Sequence, residues 1–143
     1  MGQKSKLREM IKARIAERRG EDVFLPQEFH DLGGEDEVSR ALRALVRERS
    51  LTKLGYGVYA RAGVSRLSGE IMLYCPGGFL GAAQQALTKL GVAWEMTEAQ
   101  KAYNEGRSTQ VPVNPVVRIK GRFARRLSDG RQHLVVERQL PGW

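Results

Sequence analysis

Residues 35–61 read EDEVSRALRALVRERSLTKLGYGVYAR, and the first half of this stretch has the pattern of an amphipathic helix. Its apolar residues recur at positions i, i+4, i+7 and i+8, and they are Val38, Leu42, Leu45 and Val46. This spacing predicts a helix with one buried face. At about 100° per residue, Arg40, Arg43 and Arg47 fall on the opposite face. The pattern therefore predicts a helix that buries one side and exposes arginines on the other.

The second half of the stretch predicts a two-stranded hairpin. β-branched and aromatic residues flank Gly55, Tyr56 and Gly57, and glycine at such positions is typical of a tight turn between short strands. An arginine-faced helix that leads directly into a basic hairpin is the arrangement of the recognition helix and wing of a winged helix-turn-helix.

The residues before this stretch supply the remaining elements of that fold. Residues 5–19 have helical apolar spacing and end before Gly20, and residues 23–25 form a short apolar run that predicts a strand paired with the hairpin. Pro26 suits the first position of a second helix over residues 26–32, which Gly33 and Gly34 would end. We therefore predict a winged helix-turn-helix domain over residues 1–63.

Three acidic residues at the start of the arginine-faced helix bear on how it would meet DNA. Glu35, Asp36 and Glu37 complement the positive end of the helix dipole, but they would repel flanking phosphates. One alternative is that they accept hydrogen bonds from cytosine amino groups. The other, which we favour, is that they only cap the helix, so that DNA contact shifts toward Arg40, Arg43 and the hairpin.

Composition limits the class of protein. The chain has 143 residues, 24 Lys and Arg against 16 Asp and Glu, and a net charge of +8, which favours a polyanionic partner such as nucleic acid. The single cysteine, Cys75, excludes an intramolecular disulfide. No run of apolar residues is long enough to span a membrane, and the charged N-terminus does not resemble a signal peptide. We expect a cytoplasmic protein.

Residues 64–143 predict a second, small α+β domain. An apolar run covers residues 71–75, a small-residue helix precedes Gly91, and Thr97 is placed to cap a further helix. The remainder predicts an antiparallel β meander with a turn at Asp129 and Gly130. Between residues 107 and 138 basic residues outnumber acidic ones eight to two. The surplus either contacts phosphate or keeps the sheet soluble, and it is carried by Arg118, Lys120, Arg122, Arg125, Arg126 and Arg131.

The run from Val38 to Arg61 resembles the N-terminal region of AbiEi-type antitoxins of type IV toxin–antitoxin systems. The shared pattern is an S-R-A-L-x-x-L helix followed by a G-V-Y hairpin, here Ser39, Arg40, Ala41, Leu42 and Leu45, then Gly57, Val58 and Tyr59. A shorter resemblance, residues 108–112, is to a TQVP element of small relatives of that family. The resemblance implies an autorepressing antitoxin that opposes a nucleotidyltransferase-like toxin.

We therefore expect a sequence-specific double-stranded DNA-binding protein, a transcriptional regulator or antitoxin, with a homodimer as one possible state. The alternative is an antitoxin or adaptor that acts mainly through protein–protein contacts, with the winged helix as a scaffold. The sequence contains no paired carboxylates, catalytic triad or metal-ligand cluster, so we expect no enzyme, no cofactor and no metal. The candidate DNA-binding residues are Ser39, Arg40, Arg43, Arg47, Lys53, Tyr56, Arg61, Arg122, Arg125 and Arg126.

Overall fold

The computed structural model describes residues 3–110, 112, 115–123 and 125–138. Within these ranges the chain forms four α-helices and two small β-sheets, which confirms the predicted α+β class. The N-terminal elements follow the predicted order. They are helix α1 (Gln3–Glu17), strand β1 (Val23–Phe24), a 3₁₀-helical turn (Pro26–Phe29), helix α2 (Glu35–Arg47), strand β2 (Leu51–Gly55) and strand β3 (Val58–Val64).

The second predicted helix, over residues 26–32, is wrong in type. Only Pro26–Phe29 is helical, and it is a single 3₁₀ turn. The amide of Glu28 donates to the carbonyl of Leu25 at 3.0 Å, and the amide of His30 donates to the carbonyl of Gln27 at 3.4 Å. Backbone bonds of this i to i+3 kind, in a segment too short to repay α-helix nucleation, favour the tighter turn.

The first sheet has the strand order β1-β3-β2, and all of its pairs are antiparallel. Strand β4 (Ile71–Leu73) extends it by pairing with the far end of β3. Gly57 adopts a φ of 67° in the turn between β2 and β3, a conformation that glycine allows without strain. The predicted hairpin, and its pairing with the short strand β1, are therefore confirmed.

Each face of this sheet is covered by a different set of elements. Phe24, Leu51 and Tyr59 pack against the apolar faces of α1 and α2. On the other face, Val58 and Ala60 pack in a second cluster with helix α3 (Gly78–Lys89) and with Val117 and Ile119 of the second sheet. The chain is thus built in layers, and β1, β2 and the first half of β3 are covered on both faces.

The C-terminal elements are strand β5 (Trp94–Met96), helix α4 (Glu98–Asn104), strand β6 (Val116–Ile119) and strand β7 (Val135–Arg138). As predicted, the hydroxyl of Thr97 caps α4 by accepting a hydrogen bond from the amide of Gln100 at 3.2 Å. The predicted antiparallel meander is wrong, because β6 and β7 are parallel. Between them the chain turns at Asp129 and Gly130, where the described residues form one isolated bridge, Ser128 to His133. It then crosses back, so that β7 lies beside β6 in the same direction.

The position at which we divide the chain, between residues 63 and 64, falls inside β3. The second apolar cluster contains residues from both sides of this position. Whether residues 1–63 and 64–143 act as separate domains stays a prediction. None of the described helices is long and apolar enough to cross a bilayer.

Candidate nucleic-acid interface

Helix α2 has the two faces that its sequence predicts. Val38, Leu42 and Leu45 are fully buried against the first sheet and α1. Arg40, Arg43 and Arg47 are all exposed. The guanidinium of Arg43 donates to the backbone carbonyl of Ser39 at 3.3 Å, which holds Arg43 along the exposed side of its own helix.

The turn of the β2–β3 hairpin presents a second cation. Tyr56 is 82 % exposed, and the ammonium group of Lys53 lies 5.9 Å from the centroid of its ring. This distance is within the range of a cation–π contact, which holds the lysine beside the turn.

A groove of about 410 Å³ lies between the N-terminal half of α2 and the hairpin turn, and we call it the α2–hairpin groove. Of the ten predicted DNA-binding residues, it brings together five, namely Ser39, Arg43, Lys53, Tyr56 and Arg125. Its other lining residues are Pro26, Gln27, His30, Glu35, Gly57, Tyr59 and Leu90. Three cationic side chains from three separate parts of the chain therefore share one groove.

Arg125 reaches this groove because a C-terminal segment packs on the hairpin. The guanidinium of Arg125 donates to the carbonyl of Tyr56 at 3.3 Å, and the amide of Ser128 donates to the carbonyl of Leu54 at 2.7 Å. Gly55 permits the approach, since a Cβ there would lie only 2.5 Å from the carbonyl oxygen of Arg126. Sequence reasoning did not place Arg125 beside the hairpin, although Gly55 was a signal for close backbone approach as well as for a turn.

Arg61 lies elsewhere. Its guanidinium donates to the backbone carbonyls of Ile15 at 2.5 Å, Arg18 at 2.6 Å and Glu21 at 2.9 Å, at the C-terminal end of α1. The structure therefore does not bring Arg61 into the α2–hairpin groove. Arg122 and Arg126 are exposed, but their side chains do not line the groove either.

Most basic residues of α1 are neutralised within the fold. Arg14 forms a two-pronged ion pair with Asp31 at 2.6 and 2.7 Å, and this contact lowers the pKa of Asp31. Lys12 pairs with Glu48 at 3.0 Å, and Arg18, just after the end of α1, pairs with Glu28 at 2.5 Å. By contrast, within the described residues the side chains of Arg40 and Arg47 have no ion pair. Helix α2 as a whole is neutral, because Glu35, Asp36 and Glu37 at its start balance its three arginines, and the unpaired arginines lie beyond this acidic first turn.

The groove also contains one acidic residue and one buried tyrosine. Glu35 is exposed at the start of α2 and faces the groove. Burial raises the pKa of Tyr59, although the charge of Arg43 acts in the opposite direction. Elsewhere, burial raises the pKa of the Cys75 thiol, which disfavours a nucleophilic role. Among the described residues, no three His, Cys, Asp or Glu side chains gather as a metal site.

The chain was compared with protein families, curated proteins and solved structures. The model of a protein family described as a family of unknown function, DUF6088, matches residues 6–142. No curated protein and no solved structure matches the chain.

Proposed function

The chain belongs to the DUF6088 family, and from the geometry of its α2–hairpin groove we propose that it is a sequence-specific double-stranded DNA-binding protein that acts as a transcriptional regulator. In this proposal residues 3–64 are a winged helix-turn-helix, α2 is the recognition helix, and the β2–β3 hairpin is the wing. The α2–hairpin groove, in which Arg43, Lys53 and Arg125 meet, carries the proposal.

The topology supports the winged-helix part. The element order from α1 to β3, and a three-stranded antiparallel sheet whose middle strand is β3, are what a helix-turn-helix with one wing requires. The first helix of the helix-turn-helix is reduced to the 3₁₀ turn at Pro26–Phe29. Because α2 packs by its apolar face, its arginine face is left available for a major groove.

The exposed cations divide into two groups by position. Arg40 and Arg43 lie in the second and third turns of α2, on the face proposed to enter the major groove, where arginine can form paired hydrogen bonds to guanine. Lys53 and Arg125 flank the hairpin turn and are placed to contact phosphate. The first group would select the sequence, and the second would hold the protein on the duplex. Arg61 is omitted from this proposal because its guanidinium is occupied inside the protein.

The direct test uses the full chain and duplexes selected from a random pool. We expect the selected duplex to compete far better than a scrambled duplex of the same length and composition. About five phosphate contacts predict that the logarithm of affinity falls with the logarithm of salt concentration with a slope of about −4 to −5. A slope near zero and no selected sequence would overturn the proposal, whereas a steep slope without selection would leave only non-specific nucleic-acid binding.

One observation favours the alternative, an antitoxin or adaptor that binds a protein. Glu35 lines the groove and Asp36 and Glu37 follow it, so the start of α2 is acidic where DNA phosphates would pass. A basic surface on a partner protein would suit this end of the helix, and the partner that the family resemblance implies is a nucleotidyltransferase-like toxin. Replacement of all three by Gln separates the two functions, because it should strengthen DNA binding and weaken binding to such a protein.

A further inference from the structure

The end of β3, strand β4 and the turn between them form an arm, residues 62–75, with unusually exposed apolar side chains. Leu67, at the tip, is completely exposed, and Tyr74 is 57 % exposed. Val64, Ile71 and Met72 are exposed to 40–46 %. Large apolar side chains gathered on one element mark interaction surfaces in soluble proteins. We propose that β4 pairs with β4 of a second copy of this chain, in an antiparallel two-fold dimer.

The hydrogen bonds that flank β4 show which of its backbone groups are free. The amide of Ser65 donates to the carbonyl of Glu70 at 2.8 Å, and the amide of Tyr74 donates to the carbonyl of Arg61 at 2.9 Å. Residues alternate between bonded and non-bonded positions along an antiparallel pair, so Met72 also directs its backbone groups toward β3. Ile71 and Leu73 direct theirs toward the opposite edge, where no strand of the described chain pairs with β4.

This edge is complementary to itself in one register. If the two-fold axis passes beside Met72, Ile71 of each copy lies opposite Leu73 of the other, and both pairs exchange N–H···O bonds. The same register pairs Ile71 with Leu73 as apolar neighbours across the strands and places Met72 against its own counterpart. The four-stranded sheet would thereby continue into the second copy. Within residues 71–73 there is neither a charge nor a proline, the devices that usually protect an edge strand.

Charge is compatible with a second copy as the occupant. Residues 62–75 contain one basic residue, Arg66, and one acidic residue, Glu70, and two further arginines contact the tip of the arm: Arg131 pairs with Glu70, and Arg49 donates to the carbonyl of Gly69 at 3.5 Å. These cations lie at the tip, whereas residues 71–73, which would meet on the two-fold axis, carry no charge, so two copies can approach along β4 without repulsion. The proposed register carries the tip of each arm toward the Cys75 end of the other. At that end a groove of about 610 Å³ has Pro76 and Trp94 in its lining, which suits Leu67. Its two acidic residues, Glu21 and Asp22, are already paired with Lys89 and Arg61.

The register predicts one specific cross-link. Residues in a non-hydrogen-bonded antiparallel pair have Cα atoms about 4.5 Å apart, which lies within the range that a disulfide spans. In a Cys75→Ser background, Met72→Cys should therefore form a disulfide-linked dimer on mild oxidation. Ile71→Cys is the matched control: its counterpart in the second copy lies two residues out of register, beyond the limit of about 7 Å for a disulfide. Equal cross-linking of the two variants, or none by Met72→Cys, would overturn the register.

Sedimentation equilibrium of the full chain tests the dimer itself. Between about 1 μM and about 1 mM, the range in which small interfaces dissociate, the wild-type mass should rise from 16.0 kDa toward twice that value. Met72→Lys and Met72→Glu each place like charges together on the axis and should weaken association about a hundredfold or more. A mixture of these two variants should restore a mixed dimer, which also shows that both are folded.

Met10→Lys changes another exposed methionine, 38 % exposed on α1, and should leave the dimer intact. A wild-type chain that stays monomeric over the whole range, or charged Met72 variants that dimerise like wild type, would overturn the proposal. The inference does not depend on DNA binding.

Discussion

Helices α1 and α2 pack against the same face of the first sheet, and both are rich in basic residues, but their charges are used differently. Arg8, Lys12 and Arg14 of α1 each lie within 4 Å of an acidic partner. Arg40 and Arg47 of α2 have no such partner among the described residues. Thus the position of acidic residues in the fold, and not the number of arginines on a helix, decides which arginines stay unpaired and can attract a polyanion.

The largest effect that we predict concerns the buried side of α2. Leu42 is fully buried between α1 and the first sheet, so Leu42→Ala should lower the free energy of unfolding by about 2–5 kcal/mol. Arg40→Ala, two residues earlier and on the exposed face, should leave it nearly unchanged. Chemical denaturation measures both. Equal stabilities would mean that α2 does not pack by the face described.

The next prediction separates a structural arginine from a DNA-contacting lysine. Arg61→Ala leaves the carbonyls of Ile15, Arg18 and Glu21 without their charged donor and should lower the free energy of unfolding by about 1.5–3 kcal/mol. Lys53→Ala should not change stability. In DNA binding we expect the opposite effects. Lys53→Ala should reduce the slope of log affinity against log salt concentration by about one. Arg61→Ala, measured under conditions in which it is folded, should leave this slope unchanged. A reduced slope for Arg61→Ala would mean that Arg61 does contact phosphate.

DNA-binding measurements should distinguish the arginines of α1 from those of α2 most clearly. Arg43→Ala should cost about 1–3 kcal/mol on the selected duplex and little on a scrambled one, because its contact is proposed to be with bases. Arg14→Ala removes one positive charge from α1 and should leave the ratio of the two affinities unchanged, since Arg14 is paired with Asp31. Competition binding on both duplexes measures the ratio. If Arg125→Ala with Arg126→Ala abolishes binding while Arg43→Ala leaves the ratio unchanged, α2 is not the reading element.

The smallest effect concerns pH. The hydrogen bond from Lys12 holds the pKa of Glu48 below its ordinary value of 4.5. A carboxyl whose pKa is lower in the folded state stabilises the protein above that ordinary value and stops doing so as the pH falls through the folded-state pKa. Glu48→Gln should therefore be less stable than wild type at neutral pH, by at most about 1 kcal/mol. The difference should vanish in acid, and thermal melting at neutral and acidic pH measures it. A difference that persists in acid would point to packing instead.

Local patterns in the sequence predicted much of the N-terminal fold and part of the site. The apolar stripe of α2, its exposed arginines and the glycine turn of the hairpin follow from neighbours a few residues apart. The C-terminal half was predicted less well: β6 and β7 are parallel, and parallel pairing depends on a crossover that no local pattern records. The 3₁₀ turn was also missed, because proline and glycine mark the ends of a helix but not its type.

The sequence by itself determined which side chains of α2 are buried, because the helical period turns residues three and four apart to one face. It also determined where the hairpin turns, because the turn requires a positive φ, 67° at Gly57, which glycine adopts without strain. Only the tertiary structure decided which cations remain unpaired, since their acidic partners lie in other elements. Only the tertiary structure placed Arg125 at the carbonyl of Tyr56, 69 residues away in the chain. That contact depends on how two layers pack on one sheet, and no spacing within either segment encodes it.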